Sequence, residues 1–122
     1  MGLDTSHGCW HGSYSSFDRW REKISEVAGY GNLNDYSGFG GDKEWPAPSS
    51  DPLVLLLDHS DCDGELAFND CAPIADALEV LLPSLVRAGD GGGHIGSYAE
   101  KTATFIAGLR QASLSKENVG FY

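Results

Sequence analysis

The segment from His59 to Asp70 holds the densest set of chemically able side chains in the chain: His59, Asp61, Cys62, Asp63, Glu65 and Asp70, with Gly64 set for a sharp turn. Imidazole and carboxylate groups at this spacing suit a divalent cation. If His59 opens a helix–loop–helix calcium loop, then Asp61, Asp63, Gly64, Leu66 and Asp70 take its third, fifth, sixth, eighth and twelfth positions. Calcium asks for oxygen at both ends of such a loop and for a bidentate Glu at the last, and here the ends are His and Asp. A weaker magnesium, manganese or zinc site on His59, Asp61 and Asp63 fits these donors better. A purely architectural role fits them best, with Asp61 and Asp63 closing Asx turns and Asp70 capping the next helix. No cofactor is assured, and a divalent metal is the one to test.

Three further groups carry potential chemistry. His7, Cys9 and His11 would share one face of an extended strand and are all zinc ligand types, with His59, Cys62 or His94 available as a fourth. The spacing matches no common zinc framework. Gly91 to Gly96 spells G-x-G-x-x-G, but a helix precedes it where a dinucleotide fold needs a strand. What survives is an anion seat, with Gly92, Gly93 and His94 presenting backbone N–H groups at a helix start. Arg19, Arg21 and Lys23 stand near Trp10, Tyr14 and Trp20, a mixture suited to a base and its phosphates. No catalytic set is complete. Ser6 and Ser60 neighbour histidines without a nucleophile-elbow context, and a thiol beside Asp61 and Asp63 is a poor nucleophile.

The elements that must hold these groups are mostly helical. Phe17, Trp20, Ile24 and Val27 recur at helical spacing, predicting a helix from Ser16 to Ala28 capped by Ser15 or Ser16 and stopped by Gly29. Residues 30–50 read as a long Gly- and Pro-rich surface loop whose Tyr30, Tyr36, Phe39 and Trp45 either pin it or cover a pocket. Asp51-Pro52 starts a short buried helix over Leu53 to Asp58, with a β-strand over Leu53 to Leu57 as the alternative. A third helix is expected from Cys71 to Leu82, capped by Asn69 or Asp70, with Pro83 ending or kinking it. Ser97 to Glu100 is a capping box that opens a fourth helix, to about Ala112. The apolar tail from Asn118 is expected to pair with the N-terminal strand. The fold class is therefore α+β, mainly helical with about four helices, and a small antiparallel sheet from the terminal segments. Residues 1–122 make one domain.

With 8 basic against 18 acidic residues, the net charge is −10. That argues against a nucleic-acid backbone as partner, since phosphate tracking needs clustered Lys and Arg. No apolar run of membrane-spanning length occurs, and no secretory signal is visible, so a soluble protein is expected. Three cysteines suggest a reducing cytosol better than a disulfide framework.

The opening Met1 to Gly12, the block His59 to Glu65, the stretch Ala72 to Leu78 and Gly92 to Gly96 together resemble a family of small proteins of bacteriophages, prophages and bacteria. The region from Tyr30 to Pro48 departs from it by being shorter. The resemblance implies a setting, the cytoplasm of a bacterial host and an accessory phage gene, but no activity.

On these residues the leading expectation is a module that sequesters a small nucleotide-derived signal and so antagonises host defence. Its ligand-binding set would be His7, Trp10, His11, Tyr14, Arg19, His59, Asp61, Asp63, Gly92, Gly93 and His94, with no catalytic residue. The alternatives are a metal-dependent hydrolase using His59, Asp61 and Asp63 with Glu65 as base, and an acidic protein that blocks a basic host surface. A homo-oligomer is expected if one small domain must enclose a ligand.

Overall fold

Leu3 and Trp10 are among the most buried residues, so the segment from Leu3 to Trp10 contributes to the core at both its ends. The computed structural model describes residues 2–31, 51–57, 64–88 and 97–121. β1 (Gly2–Asp4) pairs antiparallel with β2 (His11–Ser13), joined by a single 3-10 turn at Ser6–Gly8. α1 (Tyr14–Val27), α2 (Pro52–Leu57), β3 (Glu65–Leu66), α3 (Phe68–Ala88), α4 (Tyr98–Ser115) and β4 (Val119–Gly120) follow. The fold is α+β and mainly helical, as expected, and the described residues form two small antiparallel sheets where one was expected.

α1 begins two residues before the predicted start. Ser13, not Ser15 or Ser16, caps it, with its Oγ accepting the Ser16 N–H at 3.1 Å. The strand residue before the helix can take the extended backbone a cap needs, and Ser15 and Ser16 are already helical. The end is as expected: Gly29 (φ +85°) closes a Schellman motif, Gly29 N–H to Glu26 O and Tyr30 N–H to Ser25 O. Asp51 caps α2, its Oδ1 accepting from the Leu53 and Val54 N–H groups at 3.0 and 3.4 Å.

α3 is longer than predicted at both ends. It starts at Phe68, whose N–H is capped from across the fold by Asn118 Oδ1 at 3.0 Å. It also runs through Pro83 to Ala88. The stripe Cys71, Ile74, Ala75, Leu78 and Leu85 stays buried across that proline, and burial against α4 outweighs the lost hydrogen bond. Pro73 and Pro83 are both on the exposed side. α4 extends past Ala112 to Ser115, and Ser97 caps it as the capping box predicts, accepting the Glu100 N–H at 3.3 Å. Arg110 of α4 ties it to α3 at the surface through Asp76 and Glu79.

The C-terminal segment pairs mainly with β3, Glu65 opposite Gly120 and Leu66 opposite Val119. Its link to the N-terminal strand is one bridge, Thr5 to Phe121. Between them lies an aromatic core of Trp10, Phe17, Trp20, Phe105 and Phe121. Its ring centroids are 4.9–6.4 Å apart in the contacting pairs, within the range aromatic pairs favour.

Candidate functional site

The turn at Ser6–Gly8 lies directly on α4, and Gly108 is why it can. A Cβ at that position would stand 2.4 Å from Cys9 Sγ, 2.9 Å from the His7 carbonyl oxygen and 3.0 Å from Cys9 Cα. His7 itself takes a left-handed backbone (φ 61°, ψ 13°), which costs a residue with a Cβ roughly 1–2 kcal/mol. Because of the turn, His7, Cys9 and His11 do not share one face. The expected zinc trio is therefore not assembled: an extended strand would alternate, and residues 6–8 are not extended. Among the described residues no group of three or more His, Cys, Asp or Glu side chains is placed to hold a metal.

Each member of that trio has another partner. His7 bonds on both ring nitrogens, Nδ1 to Ser6 Oγ at 2.8 Å and Nε2 to Glu117 Oε1 at 2.9 Å. The carboxylate only accepts, so Nε2 carries a proton, and in the neutral imidazole Nδ1 then accepts from the Ser6 hydroxyl. Ser6 Oγ also accepts the Gly120 N–H at 2.9 Å. Glu117 reaches His7 because Lys116 is left-handed too (φ 56°, ψ 43°). These are the two non-glycine residues of positive φ among the described residues, and they flank one hydrogen bond. Backbone strain of this kind persists only where the surroundings hold it.

Cys9 is buried beneath α4, and burial, with the neighbouring Cys71 thiol, pushes its thiol up to about 12 against a weaker lowering by Thr5. Burial and Asp70 push Cys71 up to about 11. Neither is a ready nucleophile. His11 is 87% exposed and pairs through Nδ1 with Asp4 Oδ1, its opposite number in the hairpin register.

A second constellation lies along the α1–α4 seam. Lys23 sits over the Tyr98 ring at 5.5 Å, Trp20 Nε1 donates to Thr102 Oγ1 at 2.9 Å, and Phe17 stacks on Phe105. These three pairs run in opposite directions along the two helices, so the helices are antiparallel here. In such a pair, residues one before a facing position flank the same side of the seam. Arg19 precedes Trp20 and Lys101 precedes Thr102, so the two residues start from the same side of the seam, as does Lys23 one turn along α1. Lys101 lies over the Trp10 ring at 5.2 Å. Arg19 and Lys101 have no carboxylate partner among the described residues, whereas Lys23 pairs with Glu26.

The aromatic and basic residues expected to grip a ligand are thus divided. Arg19 is exposed and Tyr14 half-buried. Trp10 and Trp20 are core residues packed against other rings, with Lys101 over Trp10, so neither offers a stacking surface. Trp10 Nε1 is buried without a hydrogen-bond partner among the described residues. Arg21 is not on a solvated basic face: it is buried, donating from Nη1 to the Leu57 carbonyl at the end of α2 and from Nη2 to Asp18. His59, Asp61, Asp63, Gly92, Gly93 and His94 lie outside the described residues, as do residues 32–50 of the long loop. Glu117 and Lys101 were missed by sequence reasoning. Glu117 gave no signal, being 110 positions from His7, whereas Lys101 follows the capping box directly and could have been noted there.

A comparison of the chain with protein-family models, with curated proteins and with solved structures finds no match. No helix among the described residues is long and apolar enough to cross a membrane.

Proposed function

We infer that this chain is a binding module for a small nucleotide-derived ligand, of the kind a phage accessory protein would use in the host cytoplasm to sequester a defence signal. The observation that supports the reading is the pair Arg19 and Lys101, cations without carboxylate partners among the described residues, in a chain of net charge −10. In a protein so acidic, unneutralised cations gathered on one side of a seam favour a phosphate group. Lys23, on the same side, is already paired with Glu26. With Trp10 and Trp20 committed to the core, recognition here rests on charge instead of ring stacking.

Isothermal titration with ADP-ribose and with a cyclic dinucleotide tests the reading, alongside native mass spectrometry of the purified protein for retained nucleotide, metal and oligomeric state. A charge-assisted hydrogen bond is worth about 1.5–3 kcal/mol, so Arg19→Glu and Lys101→Glu should each weaken binding by about tenfold or more. Binding unaltered in both variants, or no binding of either probe and no retained nucleotide, would sink it. Capture of a basic host protein in place of any nucleotide would support the acidic-blocker alternative, and turnover of the probe with bound metal the hydrolase.

A further inference from the structure

We propose that Ser6, His7 and Glu117 form a serine nucleophile with its base and orienting carboxylate, competent for acyl transfer on small esters. This proposal does not depend on the binding module. The three side chains form an unbroken chain of hydrogen bonds, Ser6 Oγ to His7 Nδ1 at 2.8 Å and His7 Nε2 to Glu117 Oε1 at 2.9 Å. Only one tautomer satisfies it, and that tautomer has the polarity nucleophilic catalysis needs: hydroxyl to imidazole to carboxylate. The logic is that of a serine triad with the two ring nitrogens exchanged.

Three features separate this relay from a chance surface contact. The Gly120 N–H holds Ser6 Oγ from the other side at 2.9 Å, so the hydroxyl proton is directed at His7 while one lone pair stays available. Of the two left-handed non-glycine residues among the described residues, Lys116 is the cap of α4 that turns the chain toward Glu117, while His7 is itself a member of the relay. Glycine would relieve the strain at residue 7 but could not act as the base, so the strain held at His7 points to function. The relay also opens to the surface: Ser6 is half-buried and the Glu117 side chain is 62% exposed. A small, unhindered acyl group is the substrate class this shallow setting admits.

The step balances without a further reagent. Ser6 Oγ adds to the ester carbonyl carbon as its proton passes to His7 Nδ1, and Glu117 stabilises the imidazolium. The carbon–oxygen bond to the alcohol breaks, and the alcohol leaves with that proton. Water then adds to the acyl-Ser6 ester, giving its proton to His7. Ser6 leaves with the proton returned, and the carboxylic acid is released.

A fluorophosphonate, which traps an activated serine with loss of fluoride, is the direct probe. Intact mass should show one adduct, and peptide mapping should place it on Ser6. Ser6→Ala should abolish it. Positioned general bases are worth about 10²–10⁴-fold, so His7→Gln should slow labelling at least about a hundredfold. Glu117→Gln, at an exposed position that keeps an acceptor, should slow it about tenfold with circular dichroism unchanged. It carries the test if a His7 variant fails to fold. Hydrolysis of p-nitrophenyl acetate should follow the same order. No adduct on Ser6 in the folded protein under excess probe, or equal labelling rates in the wild type and Glu117→Gln, would overturn the proposal and leave the relay as a clasp between the chain's two ends.

Discussion

Gly108 and Cys9 touch so closely that no side chain fits between them: a Cβ on Gly108 would stand 2.4 Å from the Cys9 sulfur. The sulfur could rotate away, but the His7 carbonyl oxygen at 2.9 Å and Cys9 Cα at 3.0 Å are backbone. Gly108→Ala should therefore lift the turn at Ser6–Gly8 off α4. Overpacking costs about 1–3 kcal/mol, and the better helix propensity of Ala returns about 1. A net loss of up to about 2 kcal/mol is expected, lowering Tm by as much as several degrees. Thermal unfolding checks it, and faster alkylation of Cys9 in the variant would show that the turn itself had moved.

The thiols make a second prediction, in alkali. The unfolded chain loses thiol protons near the ordinary value of 9.0, while the folded chain holds them to about 12 at Cys9 and about 11 at Cys71. Above pH 9 the unfolded state therefore binds fewer protons, and stability falls as pH rises toward 11–12. Urea unfolding from pH 8 to 10.5 should show the midpoint falling in the upper part of that range. Cys9→Ala with Cys71→Ala, even if less stable throughout, should flatten the slope.

What was legible in the sequence follows from what local physics controls. The Phe17–Trp20–Ile24 stripe, Asp51-Pro52, Gly29 and the Ser97 box each act within a few residues, and the structure uses all of them. Pro83 misled because its penalty is local, while the burial that overrides it comes from α4. Arg21 misled because its charge and its aromatic neighbours suit a base and its phosphates. Nothing local reveals that the end of α2 supplies a carbonyl for it. The site was least legible. Strand alternation put His7, Cys9 and His11 together, and one left-handed residue separates them. The relay was invisible because Glu117 and Gly120 reach Ser6 and His7 only after the two ends of the chain meet.

Arg21 gives a third prediction. Its guanidinium lies over the Phe17 ring at 4.7 Å while its fork serves Leu57 and Asp18. A cation at a helix C-terminus is favourable, and so is its place over the ring. Arg21→Ala leaves the Leu57 carbonyl without this donor and removes the packing on Phe17. The cost should be about 2–3 kcal/mol. Arg21→Lys, with no planar fork to reach both partners, should recover less than half of it. Denaturant midpoints at constant slope decide between this and a tolerant surface site.

Lys116 carries the last prediction, because its strain and its role can be separated. It is exposed, left-handed and sits where helices commonly end in glycine. Lys116→Gly removes the Cβ penalty of about 1–2 kcal/mol, against a larger entropy loss on folding that offsets part of it. A gain of up to about 1 kcal/mol in stability is expected. The backbone path to Glu117 is unchanged, since glycine adopts the same angles, so fluorophosphonate labelling of Ser6 should keep its rate. A drop in Tm would mean that the Lys116 side chain itself holds the α4 end. A rise in Tm with labelling slowed would mean that the stiffness of a non-glycine residue at this position is what keeps Glu117 on His7.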